Sequence, residues 1–306
     1  MGRSLRDFRL KIKGVKSTRQ VTKAMEMVSA SKMRKAIQST VMLRQYATAA
    51  WNILQRIAAL QPEKHPYLQE RPIKKVLCIL FTSDRGLCGN LNTQLFRMVQ
   101  QYVQTLKGMP TFESIDFIAI GKKGQQFLSR TNHNVIAAFN APVSYPTMRD
   151  MAPVMRMATE GFTNGTYDHV SVLYADFISA LSQVASLRVL LPLSETELHS
   201  MMESMLPRTM KQAVKDTAIA PSEFKFEPSP REVLDTILPR LTEIQIYQAS
   251  LEASASEHSA RMMAMHNASD NASDLLADLN LTYNQTRQAK ITAELAELSA
   301  SKAALD

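Results

Sequence analysis

Ser83-Asp84-Arg85-Gly86-Leu87-Cys88-Gly89-Asn90 is the stretch whose residue types come nearest to chemistry. It follows an apolar run and precedes an amphipathic one. A glycine-rich turn there can aim backbone N–H groups at a phosphate from a helix N-terminus. No Lys-Ser/Thr pair follows Gly89, which excludes a Walker-type loop, and Gly86 and Gly89 leave the wrong gaps for GxGxxG. What remains is a tight strand-to-helix turn. Gly121-Lys122-Lys123-Gly124 is a weaker signal, a turn whose lysines face water. His65, His133, His169 and His199 are scattered. His258 and His266 share a helix, but eight residues apart, too far for one metal ion. Cys78 lies in an apolar run and reads as a small buried hydrophobe; with Cys88 it fits neither a disulfide framework nor a zinc site. No nucleophile–base pattern and no pair of catalytic carboxylates stands out. The expectation is a non-enzymatic chain with no catalytic, cofactor-binding or metal-ligating residues.

The elements around these residues are organised by the two ends. Ser229 stands as N-cap before Pro230, and Glu232 closes a capping box. Beyond Pro230 there is no Gly and a single Pro, Pro239. One heptad position reads Leu234, Leu241, Gln248, Ala255, Met262, Ser269, Leu276, Tyr283. Another reads Ile237, Ile244, Leu251, His258, Met265, Ala272, Leu279, Thr286. A helix over 229–306 rises on the order of 100 Å and cannot bury that seam alone.

Residues 1–61 supply a partner. Ser4 with Asp7 caps a second long helix and Leu60-Gln61-Pro62 stops it. Its seam reads Val15, Thr22, Ser29, Ala36, Leu43, Ala50, Ile57, with Ile12, Met33, Ala47 and Leu54 as companions and Arg19 and Glu26 as polar interruptions. The net charge of +8 is unevenly placed. Residues 1–44 hold twelve Lys or Arg against two acids, whereas 231–306 hold six against eleven. An antiparallel coiled coil of the two ends satisfies both seams and both charge patterns.

Between them the periodicity changes. A Pro-punctuated link, QPEKHPYLQERP, leads to KKVLCILFTS, then to strands at Ser114–Ile120, Asn134–Phe139, Asp168–Ala175 and Val184–Leu193. Amphipathic stretches alternate with them, from Leu91 to Leu106, after Gly121, and after a Thr147–Asp150 cap. Alternation of this kind predicts a mostly parallel, doubly wound α/β domain. Residues 194–228 read as a mobile connection, with EFKFEP as a possible edge strand. The longest apolar run, Val76–Phe81, is too short for a membrane span. The opening MGRSLRDFRLKIKGV has no apolar core of a signal peptide, so secretion is not expected and a reducing compartment is.

Four blocks resemble one family. RQVTKAMEMVSASKMRKA at 19–36, TSDRGLCGNLNTQLFR at 82–97, ASEHSARMMAMHNASDNA at 255–272 and LTYNQTRQAKITAELAEL at 281–298 are similar to the γ subunits of F-type ATP synthases, most of all to bacterial members. The resemblance runs end to end. It implies an N-terminal shaft helix at 1–61, a central Rossmann-like domain at 73–193, a connecting segment at 194–228 and a C-terminal shaft helix at 229–306. It implies a shaft inside a ring of α and β subunits, with the α/β domain beside the ε subunit and the membrane c-subunit ring. Rotation of that ring by ion flow would drive ATP synthesis on β, from the cytoplasmic face of a bacterial inner membrane, with this chain peripheral to it. By match of motif, Met25, Arg261, Arg287, Gln288 and Thr292 would be shaft residues contacting β; the alternative for Arg261 and Arg287 is solvation or intrahelical pairing.

Three positions depart from the family's pattern. Asn90 stands for a usual Gly, His266 for a frequent Lys, and Pro239 falls where the helix usually continues. A kink or restart at Thr236–Pro239 is expected. Two other function classes compete with the rotor reading. An α/β nucleotide-dependent enzyme with coiled-coil ends for oligomerisation would bind nucleotide alone. A basic scaffold for nucleic acid would use the first helix, but aromatic residues are few there and the acidic final helix can neutralise it, so no nucleic-acid partner is expected.

Overall fold

The computed structural model describes residues 5–58, 65–69, 71–142, 145–193 and 229–303. The connection at 194–228, with its expected edge strand, lies outside them, as do Ser4 and Leu60-Gln61-Pro62. Two compact units are present, one of Ser31–Ala260 and one of Met1–Ala30 with Arg261–Asp306. Two long helices run through both: α1 (Leu5–Ala58) and α5 (Pro230–Ala303). No helix among the described residues is long and apolar enough to cross a membrane.

The larger unit is built on a five-stranded sheet. Its strands are β1 (Lys75–Phe81), β2 (Ser114–Ile120), β3 (Asn134–Phe139), β4 (His169–Phe177) and β5 (Gln183–Leu191), in the order β3-β2-β1-β4-β5. The first four are parallel, so the strands near the centre are buried on both faces and read as continuous apolar runs. Val76 through Leu80 are fully buried. β5 is antiparallel to β4, as the short link between them requires.

Helices α2 (Leu91–Lys107) and α3 (Lys122–Arg130) cover one face, where Leu95, Val99 and Leu128 meet Leu80, Phe117 and Leu173. The other face packs on α4 (Met148–Thr163) and on the early part of α5, where Leu234, Leu238, Leu241 and Ile244 join Ile79, Val154 and Val172. Each such side chain removed from water contributes about 1.5–3 kcal/mol. Two of the expected caps are present among the described residues. Thr147 Oγ1 accepts from Asp150 N at 3.3 Å while the Asp150 carboxylate accepts from Thr147 N at 2.9 Å. Ser229 Oγ accepts from Glu232 N at 3.3 Å.

The smaller unit is an antiparallel helix pair. Arg9 Nε donates to Tyr283 Oη at 2.9 Å, and His266 Nδ1 stands 3.4 Å from Glu26. Seventeen residues forward on one helix are seventeen backward on the other, a span of about 25 Å. Phe8, Thr22 and Ser29 are buried on α1, at seven- and fourteen-residue spacing through half-buried Val15. Met265, Ser269, Ala272 and Leu276 are buried on α5, and Leu279, Tyr283 and Thr286 are half-buried. The mixed seam read from the sequence is therefore the inward face, and Arg19 points out.

The expected restart at Pro239 does not occur. α5 continues through that residue as one helix from Pro230. Pro239 removes one donor, so the carbonyl of Asp235 loses its helical partner. Packing of Leu234, Leu238 and Leu241 on the sheet holds the chain helical across the gap.

Candidate functional site

The glycine-rich turn lies where a doubly wound sheet offers a ligand crevice, at the carboxyl ends of the strands where β1 separates β2 from β4. This chain fills that place with its own groups. Asp84 Oδ1 accepts from Lys122 N at 2.9 Å and from Ala141 N at 3.1 Å. Thr82 Oγ1 accepts from Gly124 N at 2.8 Å and the Ser83 carbonyl accepts from Lys123 N at 3.1 Å. The first amides of α3, which a phosphate would use, are thus bound by a carboxylate, a hydroxyl and a carbonyl from the neighbouring turn. Asn92 of α2 ties the same turn from the other side, donating to Ser83 Oγ at 2.8 Å and accepting from Ser83 N at 3.3 Å.

Glycine is required here by contact as much as by φ. A Cβ on Gly121, at φ 96°, would fall 2.1 Å from the Thr82 carbonyl oxygen. Gly89 has φ 61°. Asn90 takes φ −93°, an ordinary conformation that does not call for Gly. Leu87, by contrast, is held at φ 65° with its side chain 61% exposed, a strained residue presented at the tip.

Above the turn, a cavity of about 30 Å³ remains among Ser83, Leu91, Ala175, Ser254 and His258. That is room for a water or two, far below a nucleotide. Helix α5 lines this cavity through Ser250, Ala253, Ser254, Glu257 and His258. Among the described residues no three His, Cys, Asp or Glu side chains gather closely enough to hold a metal ion. Cys78 is fully buried, and burial raises its thiol to about 12, which makes it inert.

A group of polar contacts that the sequence reading passed over joins α5 to β4 and β5. Glu252 is buried, its Oε1 accepting from Gln248 Nε2 at 2.8 Å and its Oε2 3.6 Å from the Arg188 guanidinium. Arg188 lies over the Tyr174 ring at 5.2 Å and 4.0 Å from Asp176. Burial pushes the Glu252 carboxyl up, Arg188 pulls it back, and Asp176 raises it further. The available signal was a carboxylate, one of two with Glu257, within a Ser/Ala-rich run of an otherwise seamed helix.

The five residues singled out by motif fall in the smaller unit and differ in setting. Met25 is half-buried on α1. Arg261 is 9% exposed and engages partners within the chain, so it is not a solvated side chain. Arg287, Gln288 and Thr292 are exposed, and Thr292 Oγ1 donates to the Gln288 carbonyl at 3.0 Å. The register explains why. Among the described residues, it reaches Leu5 of α1 opposite Arg287. From Arg287 to Ser299 every residue of α5 is exposed, including Ile291 at 48%, Leu295 at 59% and Leu298 at 68%. His266 also lies 3.4 Å from Asp270 through Nε2, so its imidazole bridges carboxylates on both helices.

Comparison with known proteins agrees with this architecture. Residues 4–305 match the family model described as ATP synthase. The ATP synthase gamma chain of Roseiflexus castenholzii is 39% identical over 305 residues, covering 99% of this chain and 98% of that one. The gamma chain of Cupriavidus necator is 40% identical over 301 residues, covering 98% and 99%. Among solved structures, the central stalk/c-ring of the Tetrahymena thermophila mitochondrial ATP synthase matches with a TM-score of 0.54 and 25% identity over 81% of this chain and 99% of that one. The rotor of the Euglena gracilis mitochondrial enzyme matches in fold with a TM-score of 0.61 at 19% identity, over 94% and 98%. The chain belongs to the ATP synthase gamma-chain family.

Proposed function

We propose that this chain is the rotating central shaft of an F-type ATP synthase, coupling ion flow through a c-subunit ring to ATP synthesis or hydrolysis on β subunits. It has no catalytic site of its own in this reading. The shaft is made by residues 1–61 and 229–306, the α/β domain by 73–193, and the link between them by 194–228. Its partners are the α and β subunits of an α3β3 ring, the ε subunit and the c ring. It lies on the cytoplasmic face of a bacterial inner membrane, peripheral through the complex.

The observation that carries this reading is the antiparallel helix pair, whose end from Arg287 to Ser299 is exposed among the described residues. A helix whose last turns expose Ile291, Leu295 and Leu298 on one side, spaced at i, i+4 and i+7, has a surface made to be covered. Arg287, Gln288 and Thr292 interleave with that stripe and supply polar contacts to β. Met25 and Arg261 lie further along the pair, and the basic surplus of α1 suits an acidic loop on β.

Reconstitution with α and β subunits tests the reading. A probe fixed within 75–190 should rotate in steps during ATP hydrolysis. Stable α3β3 assembly with full activity and no place for this chain would refute it.

A further inference from the structure

Resting on the rotor reading, we propose that the β4–β5 hairpin is the grip by which the α/β domain turns helix α5, with Arg188 and the Ala180 carbonyl holding Glu252 and Ser259 as positioning residues. A shaft driven from its domain must resist turning about its own axis within that domain. Between Ser250 and Ala260 α5 carries seven Ser or Ala residues among Leu251, Glu252, Glu257 and His258. Small side chains interdigitate less than large ones and offer weaker resistance to rotation or sliding. Directional polar contacts can supply what they lack.

Two such contacts come from one hairpin. Ser259 Oγ donates to the Ala180 carbonyl at 2.7 Å, and Gln183 Nε2 donates to Ser259 Oγ at 3.4 Å. Seven residues earlier, two turns and about 10.5 Å along the same face, Glu252 meets Arg188 at 3.6 Å. Gripping one face at two heights opposes both rotation and axial slip. The hairpin is itself braced. Ile178 N and Ser179 N both donate to Ser182 O, and Gln183 Nε2 donates to the Ser179 and Ala180 carbonyls at 3.1 and 3.2 Å. A third hold reaches the helix elsewhere, where Tyr247 Oη donates to the Pro146 carbonyl at 3.3 Å. The antiparallel pairing of β5, the exception in this sheet, is what brings Arg188 and the turn at Ala180 to the same helix face.

The test uses the assembled ion-pumping complex carrying Arg188→Ala with Ser259→Ala, scored by ions pumped per ATP hydrolysed. We expect hydrolysis near that of the unaltered complex and at least a two-fold loss in pumping per ATP. A second variant keeps Arg188→Ala and adds Ala180→Cys with Ser259→Cys. Cys78 and Cys88 are buried and do not compete for the bond. Oxidation, verified by mass spectrometry, should restore the ratio, which simple repair of folding would not do selectively. An unchanged ratio in the first variant overturns the proposal, as does a formed staple that restores nothing. If the unaltered chain fails to rotate in α3β3, the rotor reading falls and this proposal with it.

Discussion

Asp84 joins two segments far apart in the chain. From the sequence it is one acid in a glycine-rich turn; in the fold it is the anion at a helix N-terminus, accepting from Lys122 N and Ala141 N. The helix end that could have held a phosphate is thereby satisfied internally. Asp84→Ala leaves two backbone donors without their acceptor and should cost about 1–3 kcal/mol, read by urea denaturation of the full chain. No change in midpoint would mean solvent replaces the carboxylate freely. His169 gives a pH dependence of known sign. Burial depresses its folded value from 6.5 to about 4. The unfolded chain takes up a proton first, so the neutral imidazole's contribution is complete above pH 6.5 and is lost as pH falls toward 4. The depression corresponds to at most about 3 kcal/mol, less what solvent contact at this half-buried side chain screens. His169→Gln should flatten the fall in stability between pH 7 and 4.5 relative to the unaltered chain. An identical slope in both would assign the acid sensitivity to other groups.

At the scale of elements, much was legible because local signals and burial agree. β2 and β3 have the limits that period and turn residues indicate, and the Thr147–Asp150 box starts α4 where it should. The heptad positions of both long helices are the inward ones in the smaller unit, Thr22 and Ser29 included, since side-chain spacing and not polarity decides which face is covered. What sequence could not give was the partner of each polar group. Glu252 and Arg188 are sixty-four positions apart, and only the placement of β5 beside β4 joins them. Pro239 shows the opposite failure. The local rule predicts a kink or a restart, and the restart does not occur because the apolar contacts of Leu234, Leu238 and Leu241 outweigh one missing hydrogen bond. Pro239→Ala restores a donor for the Asp235 carbonyl and should raise stability by about 1–3 kcal/mol in thermal unfolding. A loss instead would show that the ring fills space the helix needs.

At the scale of the whole molecule, the residues proposed to contact β divide by what the chain itself already uses. Arg261 is buried with partners inside the chain, so Arg261→Ala removes a folded-state interaction and should lower the stability of the free chain by about 1–3 kcal/mol. Arg287 stands opposite Leu5 of α1, and it, Gln288 and Thr292 are exposed among the described residues. Alanine at those three positions should change the free chain's stability by less than about 0.5 kcal/mol. Their cost should appear on assembly, where a covered surface loses contacts that the free chain never made. The comparison is therefore between two measurements on the same variants, thermal unfolding of the free chain and affinity for α3β3. Loss of affinity without loss of stability at 287, 288 and 292 is the result expected of a surface kept for a partner. Should those three destabilise the free chain as much as Arg261→Ala does, the exposed end of α5 would have to be supported from within the chain, and its role as a partner-facing surface would fail.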